Sequence, residues 1–147
     1  MAERRGSRRR MRDIVFKSVF QYDFHKDIDV AVKFLMSESS FHSLDGDSLM
    51  RAQKYLKSIV EHMGELDEII ANHLINWSFE RLSSVDRNVL RLGTYELIHE
   101  LDIPIEVTLN EAIELAKKYG SDEDGRFVNG VLDRIAKVYS PSSKRNL

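Results

Sequence analysis

The chain has 147 residues, 42% apolar and 31% charged, so it is long enough to bury a core and too apolar to be disordered. It contains no cysteine, which excludes a disulfide framework, a thiolate metal site and a Cys nucleophile, and suits a reducing cytoplasm. The net charge of −2 hides a segregation: residues 1–12 carry six Arg against one Glu, or +5, and residues 13–147 carry 16 Lys+Arg against 23 Asp+Glu, or −7.

The arginine block opens the chain. Arg4, Arg5, Arg8, Arg9, Arg10 and Arg12 form a basic arm over 1–12 that leads into the first helix. Met11, Ile14, Val15, Val19 and Tyr22 have helical spacing, which predicts a helix from about Arg8 to Phe24. If that helix extends backwards, Arg5, Arg8, Arg9 and Arg12 fall at i, i+3, i+4 and i+7 on one face. Arg9 and Arg12 then lead towards Phe16 and Phe20. A basic row running into aromatics can hold backbone phosphates and stack unpaired bases, the mode of single-stranded RNA recognition. The competing reading of Phe16 and Phe20 is core packing.

A second helix is predicted over Asp27–Met36, and Ser37–Asp47, rich in Ser and Asp, reads as a loop. A third helix runs from Asp47 or Ser48 to His62, and Gly64 interrupts the path. Leu66, Ile69, Ile70, His73, Leu74 and Trp77 then trace one apolar stripe, which makes Trp77 a core anchor and His73 a packed, hydrogen-bonded histidine. Ser83-Ser84-Val85-Asp86 matches a reciprocal capping box. The helix it opens, to about Glu100, is apolar on more than one face and is expected to be central. Pro104 follows its end.

Thr108-Leu109-Asn110-Glu111 reads as a second capping box, and Gly120 as the C-cap of the helix that follows. Ser121–Gly125 reads as an acidic turn. The last helix carries Phe127, Val128, Val131, Leu132, Ile135 and Tyr139 inward and stops before Pro141. Backbone amides near Gly125, Arg126 and Phe127 are expected to face a phosphate, although Asp122, Glu123 and Asp124 would repel one. Gly130 inside the helix points to close helix packing, which leaves Asn129 to bond a loop or a base edge. The fold class is therefore all-α, with about seven helices and no β-alternation.

Little in the chain suggests catalysis. There is no phosphate-cradling Gly-rich loop, no HExxH and no nucleophile elbow. Glu96-Leu97-Ile98-His99 has the Glu-x-x-His spacing of helical di-metal sites, but it occurs once and such sites need it twice. No metal and no cofactor is expected. No apolar stretch reaches the length of a membrane span, so no membrane partner is expected.

Three strings carry a family resemblance. Trp77…Arg81-Leu82-Ser83-Ser84-Val85-Asp86-Arg87-Asn88-Val89-Leu90-Arg91-Leu92-Gly93-Thr94-Tyr95-Glu96-Leu97 resembles the central helix of the NusB family of bacterial transcription antitermination factors. Ile103-Pro104…Asn110-Glu111-Ala112-Ile113-Glu114-Leu115-Ala116-Lys117 and Phe127-Val128-Asn129-Gly130-Val131-Leu132-Asp133 are similar to its two most recognisable motifs. The likeness covers essentially the whole chain and is weakest over Asp27–His62. It implies one NusB-like domain over 13–147, built of two small packed helical subdomains, approximately 8–62 and 63–140.

The resemblance also implies a non-catalytic, cytoplasmic protein that binds single-stranded boxA RNA together with NusE, a small-subunit ribosomal protein. The pair would enter an antitermination complex that modifies RNA polymerase elongation in ribosomal RNA transcription. The residues expected to meet RNA are Arg4, Arg5, Arg8, Arg9, Arg10, Arg12, Phe16, Phe20, Arg126, Phe127 and Asn129. Glu80, Asp86 and Glu123 are expected to meet the protein partner. Gly125 and Asp124 depart from the family's more polar or basic turn, which weakens the expectation for RNA there. Certain ribosomal-RNA methyltransferases carry a related helical domain before a large catalytic one, which 147 residues are not expected to accommodate. The alternative from another class is a helical protein-interaction module whose basic tail meets an acidic protein or a membrane surface. The sequence leaves homodimerisation open.

Overall fold

The structure is a computed structural model that describes the backbone of residues 2–140 and the side chains of residues 6–140. Seven α-helices account for most of the described residues, among which there is no strand. The chain divides into two compact units between Glu61 and His62.

The first unit holds α1 (Ala2–His25), α2 (Ile28–Phe41) and α3 (Gly46–Glu61). α1 reaches back through the arginine block, and it packs against both α2 and α3. Its apolar stripe, Met11, Ile14, Val15, Phe16 and Val19, is buried. Lys26 turns the chain with a left-handed φ of 58°, and Asp27 then caps α2 by accepting from the Asp29 amide at 2.9 Å.

The helices correct an expectation: most of the stretch Ser37–Asp47 is not a loop, because α2 continues to Phe41 and α3 begins at Gly46. Ala31, Leu35 and Ser39 are spaced by four and all buried, so Ser39 extends the inward stripe as a small residue. Lys17 on α1 donates to Glu38 at 2.7 Å and holds that last turn. Packing here overrides the weak helix propensity of the serines.

The second unit holds α4 (Met63–Asn72), a single 3₁₀ turn (Phe79–Arg81), α5 (Ser84–His99), α6 (Ile105–Tyr119) and α7 (Asp122–Tyr139). The helical path is interrupted near Gly64, as expected, but the break falls at His62 between α3 and α4, and Gly64 itself sits in the first turn of α4. That helix ends at Asn72, so the apolar stripe does not reach Trp77. His73 caps the end and Asn76 adopts a φ of 56°, which leaves Trp77 44% exposed. His73 itself is hydrogen-bonded, with Nδ1 2.8 Å from the Ile69 carbonyl.

α5 is central, packed against α4, α6 and α7. Every residue from Asn88 to Leu97 is buried, and the polar ones are matched by partners in most cases. Arg91 donates to both Asp67 carboxylate oxygens, at 2.7 and 2.8 Å, and to Asn88 Oδ1 at 3.0 Å. Tyr95 donates to Glu100 at 2.6 Å, and Thr108 donates to Glu96 at 2.8 Å. Ser83 does cap this helix, accepting from the Asp86 amide at 3.1 Å.

Thr108 is not a cap. α6 starts three residues earlier with Pro104 at its N-cap, because proline has no amide to leave unsatisfied and its φ of −59° suits a helix start. Gly120 is the C-cap, as expected, but for reasons of space. Its φ is −125°, and a Cβ there would lie 2.8 Å from the Ala116 carbonyl oxygen. The acidic turn is also corrected: Asp122, Glu123 and Asp124 form the first turn of α7, capped by Ser121. The Pro141 stop lies outside the described residues.

Candidate nucleic-acid interface

The first unit carries the basic feature. Because α1 starts at Ala2, the arginines wind around one helix instead of a loose arm. The side chains of Arg4 and Arg5 lie outside the described residues. Arg9 and Arg10 are exposed and Arg8 is half-buried. Arg10 also donates to the His42 carbonyl at 3.3 Å, which fastens it beside the end of α2.

Two residues expected at the RNA surface are not on it. Arg12 is 4% exposed and Phe16 is 2% exposed. Phe16 is a core residue, and base stacking on it is excluded in this conformation. Phe20, half-buried, packs against it with ring centroids 6.1 Å apart. Phe24 continues the same i+4 row and is 78% exposed, with its ring edge-on to His25 at 5.0 Å. The i+4 spacing of Phe16, Phe20 and Phe24 is the sequence signal for this third ring.

The second unit carries a pocket of about 330 Å³, lined by Trp77, Arg81, Ser83, Asp86, Ser121, Glu123, Asp124 and Phe127. It gathers three residues expected from the sequence (Asp86, Glu123 and Phe127). Glu80 and Arg126 are exposed, and Asn129 is half-buried; none of the three lines it. Trp77, Arg81, Ser83, Ser121 and Asp124 are additions. The Arg81 guanidinium lies over the Trp77 ring, 4.5 Å from its centroid. The spacing of four between Trp77 and Arg81 hints at this pairing, but through a helix that ends before it.

The amides of Gly125, Arg126 and Phe127 are not free to hold a phosphate. α7 begins at Asp122, so the Gly125 amide donates to the Ser121 carbonyl at 3.1 Å, and the other two lie deeper in the helix. Ser121 Oγ accepts from the Asp124 amide at 3.2 Å and donates to its carboxylate at 2.8 Å.

Asp86 is pushed up to about 7, first by burial and then by the hydrogen bond and negative charge of Asp124, against a smaller lowering by Ser83. Ser83 makes the forward bond of the capping box, and the Asp86 carboxyl lies beside the negative charge of Asp124. One Asp86 oxygen, Oδ1, is buried without a hydrogen-bond partner. The pocket thus combines an exposed indole under a guanidinium, a phenyl ring, and carboxyls that can donate as well as accept. That set suits planar, uncharged, hydrogen-bonding groups such as base edges far better than phosphates.

Glu96 and His99 do not act as a pair, because Glu96 is engaged by Thr108 while His99 stacks on Tyr95 and His62. No helix among the described residues is long and apolar enough to cross a membrane.

Residues 9–137 match the model of the NusB family. The chain is 49% identical over 143 residues to the transcription antitermination protein NusB of Fervidobacterium nodosum, covering 97% of this chain and 99% of that one. It superposes on the structure of Thermotoga maritima NusB with a TM-score of 0.87 at 48% identity, covering 95% of this chain and 97% of the other. A crystal structure of the antitermination factors NusB and NusE with double-stranded RNA is similar at a TM-score of 0.81 and 32% identity, over 90% of this chain and 98% of that chain.

Proposed function

The chain belongs to the NusB family of transcription antitermination factors, which are not enzymes, and on that premise we propose that it binds single-stranded boxA RNA jointly with the ribosomal protein NusE and so modifies RNA polymerase elongation in the cytoplasm. The observation that carries this reading is the likeness, over nine-tenths of this chain, to a factor whose crystal structure holds both NusE and double-stranded RNA; the single-stranded target is this reading's own. The arginines at the start of α1 supply long-range attraction to phosphates and release of counterions. Arg9 and Arg10 are exposed for that role. The pocket around Trp77 and Phe127 favours unpaired bases, since a ring must leave its duplex stack to lie on another aromatic. Phe20, Arg126 and Asn129 are further RNA-binding residues in this reading. Glu80 and Glu123, both exposed, belong to an acidic surface that suits a basic ribosomal protein; Asp86, expected beside them, is buried and takes no part in that surface.

The test is a titration of a boxA-like single strand against a scrambled one, with and without NusE. Preference for the boxA-like strand that grows when NusE is added supports the reading. Equal, weak binding of both strands with and without NusE overturns it in favour of a purely protein-binding module. Deleting residues 1–10 removes five of the six arginines but leaves the buried stripe from Met11 onward. It should weaken RNA binding and flatten its salt dependence, by about 0.7 in log–log slope for each phosphate that is no longer neutralised. Unchanged affinity in that truncation would discard the role given to the arginines.

A further inference from the structure

His62, Glu65 and His99 converge in the second unit, where each offers a ligand atom and all three atoms lie within 4.8 Å of one another. His62 precedes α4 and Glu65 lies three residues on, so one helical turn places both on the same side. His99 is the last residue of α5. The two imidazoles approach with centroids 4.7 Å apart, and Tyr95 stacks against His99 at 5.5 Å.

From this juxtaposition we propose that His62, Glu65 and His99 bind a divalent transition-metal ion of the zinc class, which clamps the start of α4 to the end of α5.

One observation beyond the clustering points to a ligand. His99 Nε2 is buried without a hydrogen-bond partner. A buried polar atom of this kind normally finds one, and a metal ion would satisfy it.

The donor set is two imidazoles and a carboxylate, which with water completes a tetrahedral zinc shell. Ligand bonds of about 2.0–2.2 Å require donor separations of roughly 3.4 Å. The ligand atoms, now within 4.8 Å of one another, would have to close further on binding, and Glu65, being exposed, is the side chain with room to move. A hard ion such as Mg²⁺, which demands six oxygen ligands, does not fit this set.

The test uses the full chain, stripped with chelator and titrated calorimetrically with zinc chloride and, separately, with magnesium chloride. Saturable uptake of one zinc per chain is expected, with a raised melting temperature and no response to magnesium. H62Q and H99Q should each weaken zinc binding at least tenfold. E65Q, at an exposed position, should weaken it several-fold with no change in melting temperature in the absence of metal. H25Q, on an exposed histidine of the other unit, should bind as the parent does. Absence of saturable zinc uptake overturns the proposal. So does uptake that survives E65Q and H62Q unchanged, or that falls equally in H25Q.

Discussion

Asp86 retains its proton up to about pH 7, whereas in the unfolded chain it would release it near pH 3.9. The folded state therefore binds this proton more tightly, and the associated stability declines as pH rises from about 4 to about 7. Asp86→Asn removes that loss. Thermal melts should show the variant more stable than the parent at pH 8, on the order of 1 kcal/mol once solvent access to the pocket is counted, with the gain vanishing near pH 4. Two phenylalanines divide the same way between core and surface. Phe16→Ala should cost about 3–5 kcal/mol in urea unfolding, because a buried ring leaves a cavity. Phe127 is half-exposed in the pocket, so Phe127→Ala should cost well under half of that and act mainly on RNA affinity. Sequence pattern puts both rings near RNA, since a helical row states which side chains share a face but not whether another helix covers it.

Among the elements, α7 shows most clearly how a correct helix can carry a wrong packing point. Sequence favours close helix packing at Gly130, yet a Cβ there would meet only the end of Arg134, at 3.6 Å. The close approach is at Gly93 on α5, where a Cβ would lie 2.6 Å from Leu132 Cδ1. The two alanine substitutions should thus have opposite signs. Gly130→Ala should stabilise by about 0.5–1 kcal/mol through helix propensity. Gly93→Ala should destabilise by about 1 kcal/mol or more, since Leu132 is fully buried and has little room to yield. Equilibrium unfolding of both variants checks the pair. The start of α7 depends on Ser121, and Ser121→Ala should cost about 1 kcal/mol by the same measurement. The elements themselves are largely legible in the sequence, because period-3.6 stripes and cap residues are local signals. Their ends are less so: α2 outlasts its serines and α4 stops short of Trp77. Those limits follow from what each helix face packs against, which the window of a few residues does not contain.

For the whole molecule, the charge segregation is the property that composition states outright, and it survives folding as a single basic helix start on an otherwise acidic chain. It also makes the interaction with RNA ionic in character, so its affinity should fall steeply between low and moderate salt; a flat response would remove the electrostatic half of the function. The all-α class, the central position of α5 and the family were all present in the sequence, since each rests on residue order: apolar period, cap spacing and motif strings. Tertiary structure alone decided which groups face one another. It buried Arg12 and Phe16 and exposed Phe24 and Trp77. It also set Asp124 against Asp86 and drew His62 and Glu65 towards His99. The physical reason is range. Helix formation is governed by neighbours within a turn or two, but burial, pKa and ligand geometry depend on atoms brought together from residues far apart in the chain, as Arg134 and the His73 carbonyl are.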